Sequence, residues 1–220
     1  MTVCRYGPPP QAGDAELRAR QRQALGLGPH AILFLAAGPC DLNKAFDWAI
    51  RELPAVDKRA HLVLVGDGPE RRHLARLAAD LGVDARTHLT GPQRDMEPWY
   101  AAADVVMSTS FYDTYPNTLQ EALCRGLPVI APRHQPPHVF AGFAEVLSAG
   151  GGLLYDRTQA GALADGMNRL VRDAALRAGL SGEARVVSQR WLGHGAVLDG
   201  LRSGGGQESD GCSEAEEQLP

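Results

Sequence analysis

Residues 104–132 read DVVMSTSFYDTYPNTLQEALCRGLPVIAP. An apolar run, DVVMSTS at 104–110, passes into a polar loop. The segment Asn117–Arg125 then predicts a helix that Gly126 ends before Pro128, and LPVIAP at 127–132 returns as a second apolar run. Strand, helix and strand in so short a span have the spacing of a βαβ unit, whose two strands lie parallel.

The same alternation extends in both directions. AILFLA at 31–36, HLVLVG at 61–66, RTHLTG at 86–91 and the weaker GGLLYD at 151–156 are short apolar runs bounded by Gly or Pro, as suits strands covered on both faces. Helical stretches fall between them at Lys44–Leu53, Pro69–Leu81 and Met96–Ala103. An earlier helix starts with Asp14 as its N-cap, carries an exposed charged face and stops at Gly26. Two more helices follow the last strand, Gln159–Asp173 and Asp173–Trp191, with a break near Gly179–Gly182. The fold class expected is α/β, a single doubly wound parallel sheet of Rossmann-like type over residues 14–202. Pro8, Pro9, Pro10 and Gly13 make residues 1–13 a flexible arm. The Gly-rich acidic stretch 203–220 cannot bury enough apolar surface to order itself.

Composition bounds the function. With 220 residues, 44% of them apolar, the chain can build one sizeable core. The net charge is −4, but the tail holds five acids and no Lys or Arg, which leaves the remainder near +1. A nearly neutral body gives no electrostatic case for broad nucleic-acid binding or strong attachment to anionic lipid. No apolar run has the length of a membrane span or a secretory leader, so no transmembrane segment and a cytoplasmic location are expected. Cys4, Cys40, Cys124 and Cys212 form no C-x-x-C pair and read as reduced thiols. His134 and His138 are separated by Pro136 and Pro137, which block the helix that would align them, so no metal site is expected. His61 and His88 lie in apolar runs and read as packed residues. Ser108 and Ser110 lack the G-x-S-x-G surroundings of a hydrolase nucleophile, and only Gly38 stands where a dinucleotide fold would carry G-x-G-x-x-G.

Ligands of an open parallel sheet bind at the carboxyl ends of its strands. That singles out GPCDLNK at 38–44, GDGPE at 66–70 and SFYDTYPNTLQE at 110–121. The amides of Asn117, Thr118 and Leu119 open a helix N-terminus, where an anion such as pyrophosphate is favoured. Lys44, also at a helix start, sits where the helix dipole disfavours a cation unless an anion joins it. Glu121 either complements the dipole of its helix or accepts hydrogen bonds from the two hydroxyls of a ribose, and Asp113 either closes a turn or meets a ligand. Phe111, Tyr112 and Tyr115 either wall the pocket or pack under the loop. Gly66, Gly68 and Pro69 form a turn that permits close backbone approach, and Gly91 and Gln93 follow a further strand.

Through VLVGDGPE at 63–70, LTGPQRDMEPWYAAADVVMSTSFYDTYPNTLQEALCRGLPVI at 89–130 and NKAFDWAI at 43–50, the sequence from about 25 to 190 resembles a known family. It is similar to the donor-binding domain of retaining glycosyltransferases of family 4, the C-terminal half of the two-domain GT-B architecture. The resemblance implies that Glu121 holds the nucleotide ribose and that Asp113 contacts the donor sugar, where the family usually has the longer Glu. It implies that Asn43, Lys44 and Ala45 stand where the family commonly has Arg-Lys followed by Gly. Lys44 would then neutralise the diphosphate, with Asn43 limited to a hydrogen bond; a lost contact of this kind is worth about 3 kcal/mol. Asp113 and Lys44 would be catalytic. Glu121, Asn117, Thr118, Leu119, Asn43, Gly38, Gly66, Gly91 and Gln93 would bind substrate, the last two lining the base pocket. No cofactor is implied, since the nucleoside-diphosphate sugar is itself the substrate. A complete enzyme would add an N-terminal acceptor domain, so the chain is expected to bind donor better than it transfers sugar, with a separate acceptor-domain protein as a partner. The alternative is a non-catalytic nucleotide-sugar-binding or interaction module.

Overall fold

The computed structural model describes residues 14–113, 116–133 and 146–203. The arm at 1–13, nearly all of the acidic tail, Tyr115, the His134 and His138 pair, and Cys4 and Cys212 lie outside the described residues. The chain divides into two compact units, Met1–Gln189 and Arg190–Pro220. The first holds the sheet, and the second is described only as a helical run that ends at Ser203.

Six strands, β1 (Ile32–Ala37), β2 (Ala60–Val65), β3 (Thr87–Gly91), β4 (Val105–Met107), β5 (Val129–Pro132) and β6 (Gly152–Tyr155), make one sheet in the order β3-β2-β1-β4-β5-β6. Every adjacent pair is parallel. The helices are α1 (Asp14–Ala24), α2 (Phe46–Glu52), α3 (Arg71–Asp80), α4 (Glu97–Ala102), α5 (Asn117–Cys124), α6 (Ala162–Arg172) and α7 (Ala174–Ser203). The expected Rossmann-like class is thus the observed one.

Side-chain alternation along β1 explains the double winding. Ile32, Phe34 and Ala36 belong to a core shared with Phe46 and Ile50 of α2, Leu74 of α3 and Met167 of α6. Leu33 and Leu35 belong to the opposite core, with Trp99 and Tyr100 of α4, Leu119 of α5 and Ala184 of α7. A strand that serves two cores must be apolar at every position, and this is why AILFLA shows no polar alternation. The strand order reverses between β1 and β4, so the loops that follow these two strands diverge to opposite faces and leave a crevice between them.

Three local expectations change. The run at 104–110 is strand only through Met107, because Ser108 Oγ contacts the Ser110 amide and hydroxyl and draws the chain into a turn. The second helix starts at Phe46, not Lys44, after Ala45 in the left-handed region. No break occurs at Gly179–Gly182: α7 runs through both glycines. Burial of Leu180, Ala184 and Val187 along this helix outweighs the roughly 1 kcal/mol that each glycine costs. On α1, Glu16 and Arg20 are exposed as expected, whereas two other charged residues turn inward. Arg18 and Arg22 reach the carbonyl groups that end α4 and the carboxylate of Asp104, with Arg22 at 2.9 Å from Asp104. Among the described residues no helix is long and apolar enough to cross a membrane.

Candidate functional site

The loop after β1 is shaped by its neighbour after β2. A Cβ on Gly66 would stand 1.8 Å from the carbonyl oxygen of Gly38, and the backbone there has φ +149°, so only glycine fits. Gly38 N donates to Val65 O, Cys40 N to Asp67 O and Glu70 N to Cys40 O. The close approach expected at Gly66 is therefore to another loop of the protein. Gly38 in turn lies beneath Lys44, whose Cε would be 2.8 Å from a Cβ at that position.

Lys44 is held on three sides. Its amide donates to Asp41 Oδ1, its carbonyl accepts from Thr109 Oγ1 at 2.7 Å, and its Nζ donates to Asp113 Oδ2 at 2.8 Å. The last contact joins the loops after β1 and β4 across the crevice. Both partners keep about a fifth of their side-chain surface in water, so the pair is partly desolvated yet open to exchange. Asn43 is used differently from the expectation of a phosphate contact. Its side-chain amide donates to Tyr112 O and accepts from Tyr112 N, each at 3.0 Å, while Asn43 O accepts from Phe111 N. These bonds pin the segment that carries Asp113.

Lys44 and Asp113 line a narrow cleft with Phe46, Ser110, Thr118 and Leu119. The N-terminus of α5 opens onto it. Pro116 is the N-cap and supplies no side-chain acceptor. The Leu119 and Gln120 amides both donate to Pro116 O at 3.2 Å, so the expected Leu119 amide is turned back into the helix and the Asn117 and Thr118 amides are the outermost donors of the turn. The Leu119 side chain is buried in the core.

Glu121 lies one turn further along α5, and its carboxylate meets the core on the α4 side. Tyr100 OH donates to Glu121 Oε2 at 2.8 Å. Arg125 stacks on the Tyr100 ring at 4.5 Å, pairs with Glu97 at 2.6 Å and donates to Glu121 O at 3.1 Å. Burial, with the neighbouring Glu121 charge, pushes the Tyr100 phenol far above its ordinary range. Gly91 and Gln93 are not among the residues of the cleft. Gly91 ends β3, at the edge of the sheet, where its carbonyl accepts from Gly66 N, and Gln93, two residues on, donates from Nε2 to Thr90 O.

Arg157, just past β6, was not anticipated. It is 5% exposed, and its guanidinium lies between the rings of Trp48 at 4.4 Å and Phe111 at 4.1 Å. It donates to the carbonyl oxygens of Thr109 and Ser110, while its Nε and second terminal nitrogen have no hydrogen-bond partner. Desolvation lowers its pKa, and the charges of Tyr155 and Asp47 offset this only in part. Arg157 thus holds the 109–111 turn, and the Phe111 ring lies on this cation while remaining 36% exposed. Among the described residues no group of three or more His, Cys, Asp or Glu is arranged to hold a metal ion.

Residues 29–173 match the family model described as glycosyl transferases group 1. The lipopolysaccharide core biosynthesis glycosyltransferase LpsE of Rhizobium meliloti is 35% identical over 182 residues, covering 80% of this chain and 51% of that protein. A D-inositol 3-phosphate glycosyltransferase of Xylanimonas cellulosilytica is 33% identical over 189 residues, covering 83% and 44%. The chain therefore spans about half the length of these relatives. Among solved structures, HepE of Anabaena with UDP and glucose superposes with a TM-score of 0.74 at 21% identity, over 89% of this chain and 53% of that one. The C-terminal domain of the group 1 protein LpcC of Francisella tularensis gives 0.68 at 18%, over 86% and 97%. At these identities the two structures speak for the fold.

Proposed function

Since the chain belongs to the glycosyl transferases group 1 family, we propose that it is the donor-binding half of a retaining glycosyltransferase and takes a nucleoside-diphosphate sugar in the crevice between β1 and β4. The observation that carries this reading is the Lys44–Asp113 pair, which spans that crevice in front of the α5 N-terminus. Diphosphate is bound by the Asn117 and Thr118 amides and by Lys44, which leaves Asp113 for the phosphate charge. Asp113 is then free to accept from a hydroxyl of the donor sugar, and Glu121 accepts from the ribose hydroxyls. The UDP bound in the HepE structures makes a uridine nucleotide the first donor to test.

In the proposed reaction the bond from the anomeric carbon to the phosphate oxygen breaks, and the acceptor oxygen bonds to the same face of the sugar. The acceptor proton passes to the departing phosphate, and Lys44 stabilises the charge that grows there. The acceptor is held by a further domain, in the same chain or a separate one. Closure of the two halves would exclude water from the site.

Calorimetric titration with UDP, GDP and ADP tests the donor site. The expected result is that one nucleotide binds, and that Glu121→Gln, which keeps an acceptor for Tyr100, weakens it about tenfold or more while the thermal midpoint moves little. Equal affinity in the variant would remove Glu121 from the ribose.

A further inference from the structure

Tyr100 makes an unusual use of a core position. Its side chain is 2% exposed, yet its hydroxyl is directed at a carboxylate of the neighbouring helix, with Thr118 O at 3.4 Å as a second, weaker acceptor. A hydrogen bond to an ionised acceptor is stronger and more directional than one between neutral groups. The ring is itself held in place: Arg125 covers one face at 4.5 Å, and Glu97 fixes Arg125 at 2.6 Å. Arg125 also donates to the Glu121 backbone carbonyl, so one cation touches both ends of the Tyr100–Glu121 contact. Burial and the adjacent carboxylate keep the phenol protonated, so it is a donor at every working pH.

We propose that Tyr100, braced by Arg125, is a positioning residue that occupies Glu121 Oε2 from the protein side and so fixes the other carboxylate oxygen for a ribose hydroxyl. This rests on the reading that Glu121 is the ribose ligand. A long carboxylate side chain free to rotate would lose conformational entropy on binding; one already hydrogen-bonded does not. Tyr100 touches no substrate in this arrangement and acts only through Glu121.

The test is a double-mutant cycle read by calorimetry, using whichever of UDP, GDP or ADP the wild type binds and its 2′-deoxy analogue. Tyr100→Phe should weaken the ribonucleotide about fivefold. It should also shrink the preference for ribonucleotide over deoxynucleotide by a similar factor, and cost nothing further in a Glu121→Gln background. A purely structural role would weaken both nucleotides alike and leave their ratio unchanged, which overturns the proposal. If Glu121→Gln weakens binding but Tyr100→Phe does not, the positioning role falls and the donor site stands. If Glu121→Gln has no effect, or no nucleotide binds the wild type, the donor-site reading fails and the positioning role fails with it. Should Tyr100→Phe not fold, Arg125→Met gives the same readout, since it leaves the phenol in place and removes its brace. A ratio that stays at the wild-type value in Arg125→Met would overturn the proposal.

Discussion

Ala45 joins the two functions of its loop, support and charge placement, in one strained residue. Its φ of 47° and ψ of 44° put a buried Cβ in the left-handed region, where any side chain crowds the following carbonyl at a cost of about 1–2 kcal/mol. The turn lets Lys44 face Asp113 while Phe46 enters the core. Removing the methyl should relieve the strain without moving the cation. Ala45→Gly is thus expected to stabilise the fold by about 1 kcal/mol, after the entropic penalty of glycine, and to raise the thermal midpoint by about 2–4 °C. Nucleotide affinity should be unchanged. A lower midpoint would mean that burial of the methyl outweighs the strain. The sequence put Asp113, Lys44 and Thr118 near one another because each follows or begins a regular element at the carboxyl side of the sheet. Tyr100 carried no such mark, and Arg157 carried only its place after β6. The contact of Tyr100 with Glu121 joins residues 21 apart on different helices, and that of Arg157 with Thr109 spans 48. Partnerships of this kind exist only after packing. The position of Arg157 just past a strand end was the one available hint.

At the scale of elements, legibility followed burial. β1 and β2 read correctly because both faces of each strand are covered, so their runs are continuous and apolar. β4 was overdrawn because Ser108, Thr109 and Ser110 are buried as a strand would be but turn on their own side-chain bonds. The glycines of α7 misled for the opposite reason, since packing holds a helix that local propensity would break. The histidines of β2 and β3 read as packed residues, and the structure adds that they face each other. The His61 and His88 rings stack at 5.6 Å, with Nδ1 of the first 3.3 Å from Nε2 of the second. Burial lowers both pKa values from 6.5, and His88, Arg86 and Arg22 add repulsion at His61. The unfolded chain takes up protons near pH 6.5, whereas the folded pair does so only at lower pH. Between those limits the unfolded state holds more protons, so stability falls as the pH falls. Unfolding free energies from urea titrations between pH 7.5 and 5.5 should decline, by at most about 1.4 kcal/mol per pH unit for each histidine. His61→Gln should flatten that slope. A variant with the wild-type slope would assign the pH dependence to other groups.

For the whole molecule, the question is whether a chain spanning about half of its relatives carries a finished nucleotide site. Every residue proposed to meet the nucleotide lies in the compact unit Met1–Gln189, on α5 or on loops anchored to a sheet buried on both faces. The cation is already paired, the Asp113 segment is latched by Asn43, and Arg157 supports the turn beneath. Such a site pays little ordering cost when a ligand arrives, so binding should not wait for a second domain. Transfer differs, because it needs an acceptor hydroxyl held against the anomeric carbon and water kept out. Nucleotide at a hundred times its dissociation constant should therefore add about 2.7 kcal/mol to the stability of this chain alone. For a domain of this size that is a rise of roughly 5–10 °C in the thermal midpoint, measurable by scanning fluorimetry. Under the same conditions sugar transfer should stay at background until an acceptor-binding domain is supplied. A nucleotide-dependent rise without transfer would separate recognition from chemistry. No rise with any of the three diphosphates would mean that the crevice between β1 and β4 needs contacts from a further domain, and that the pairing of Lys44 with Asp113 closes the site instead of preparing it.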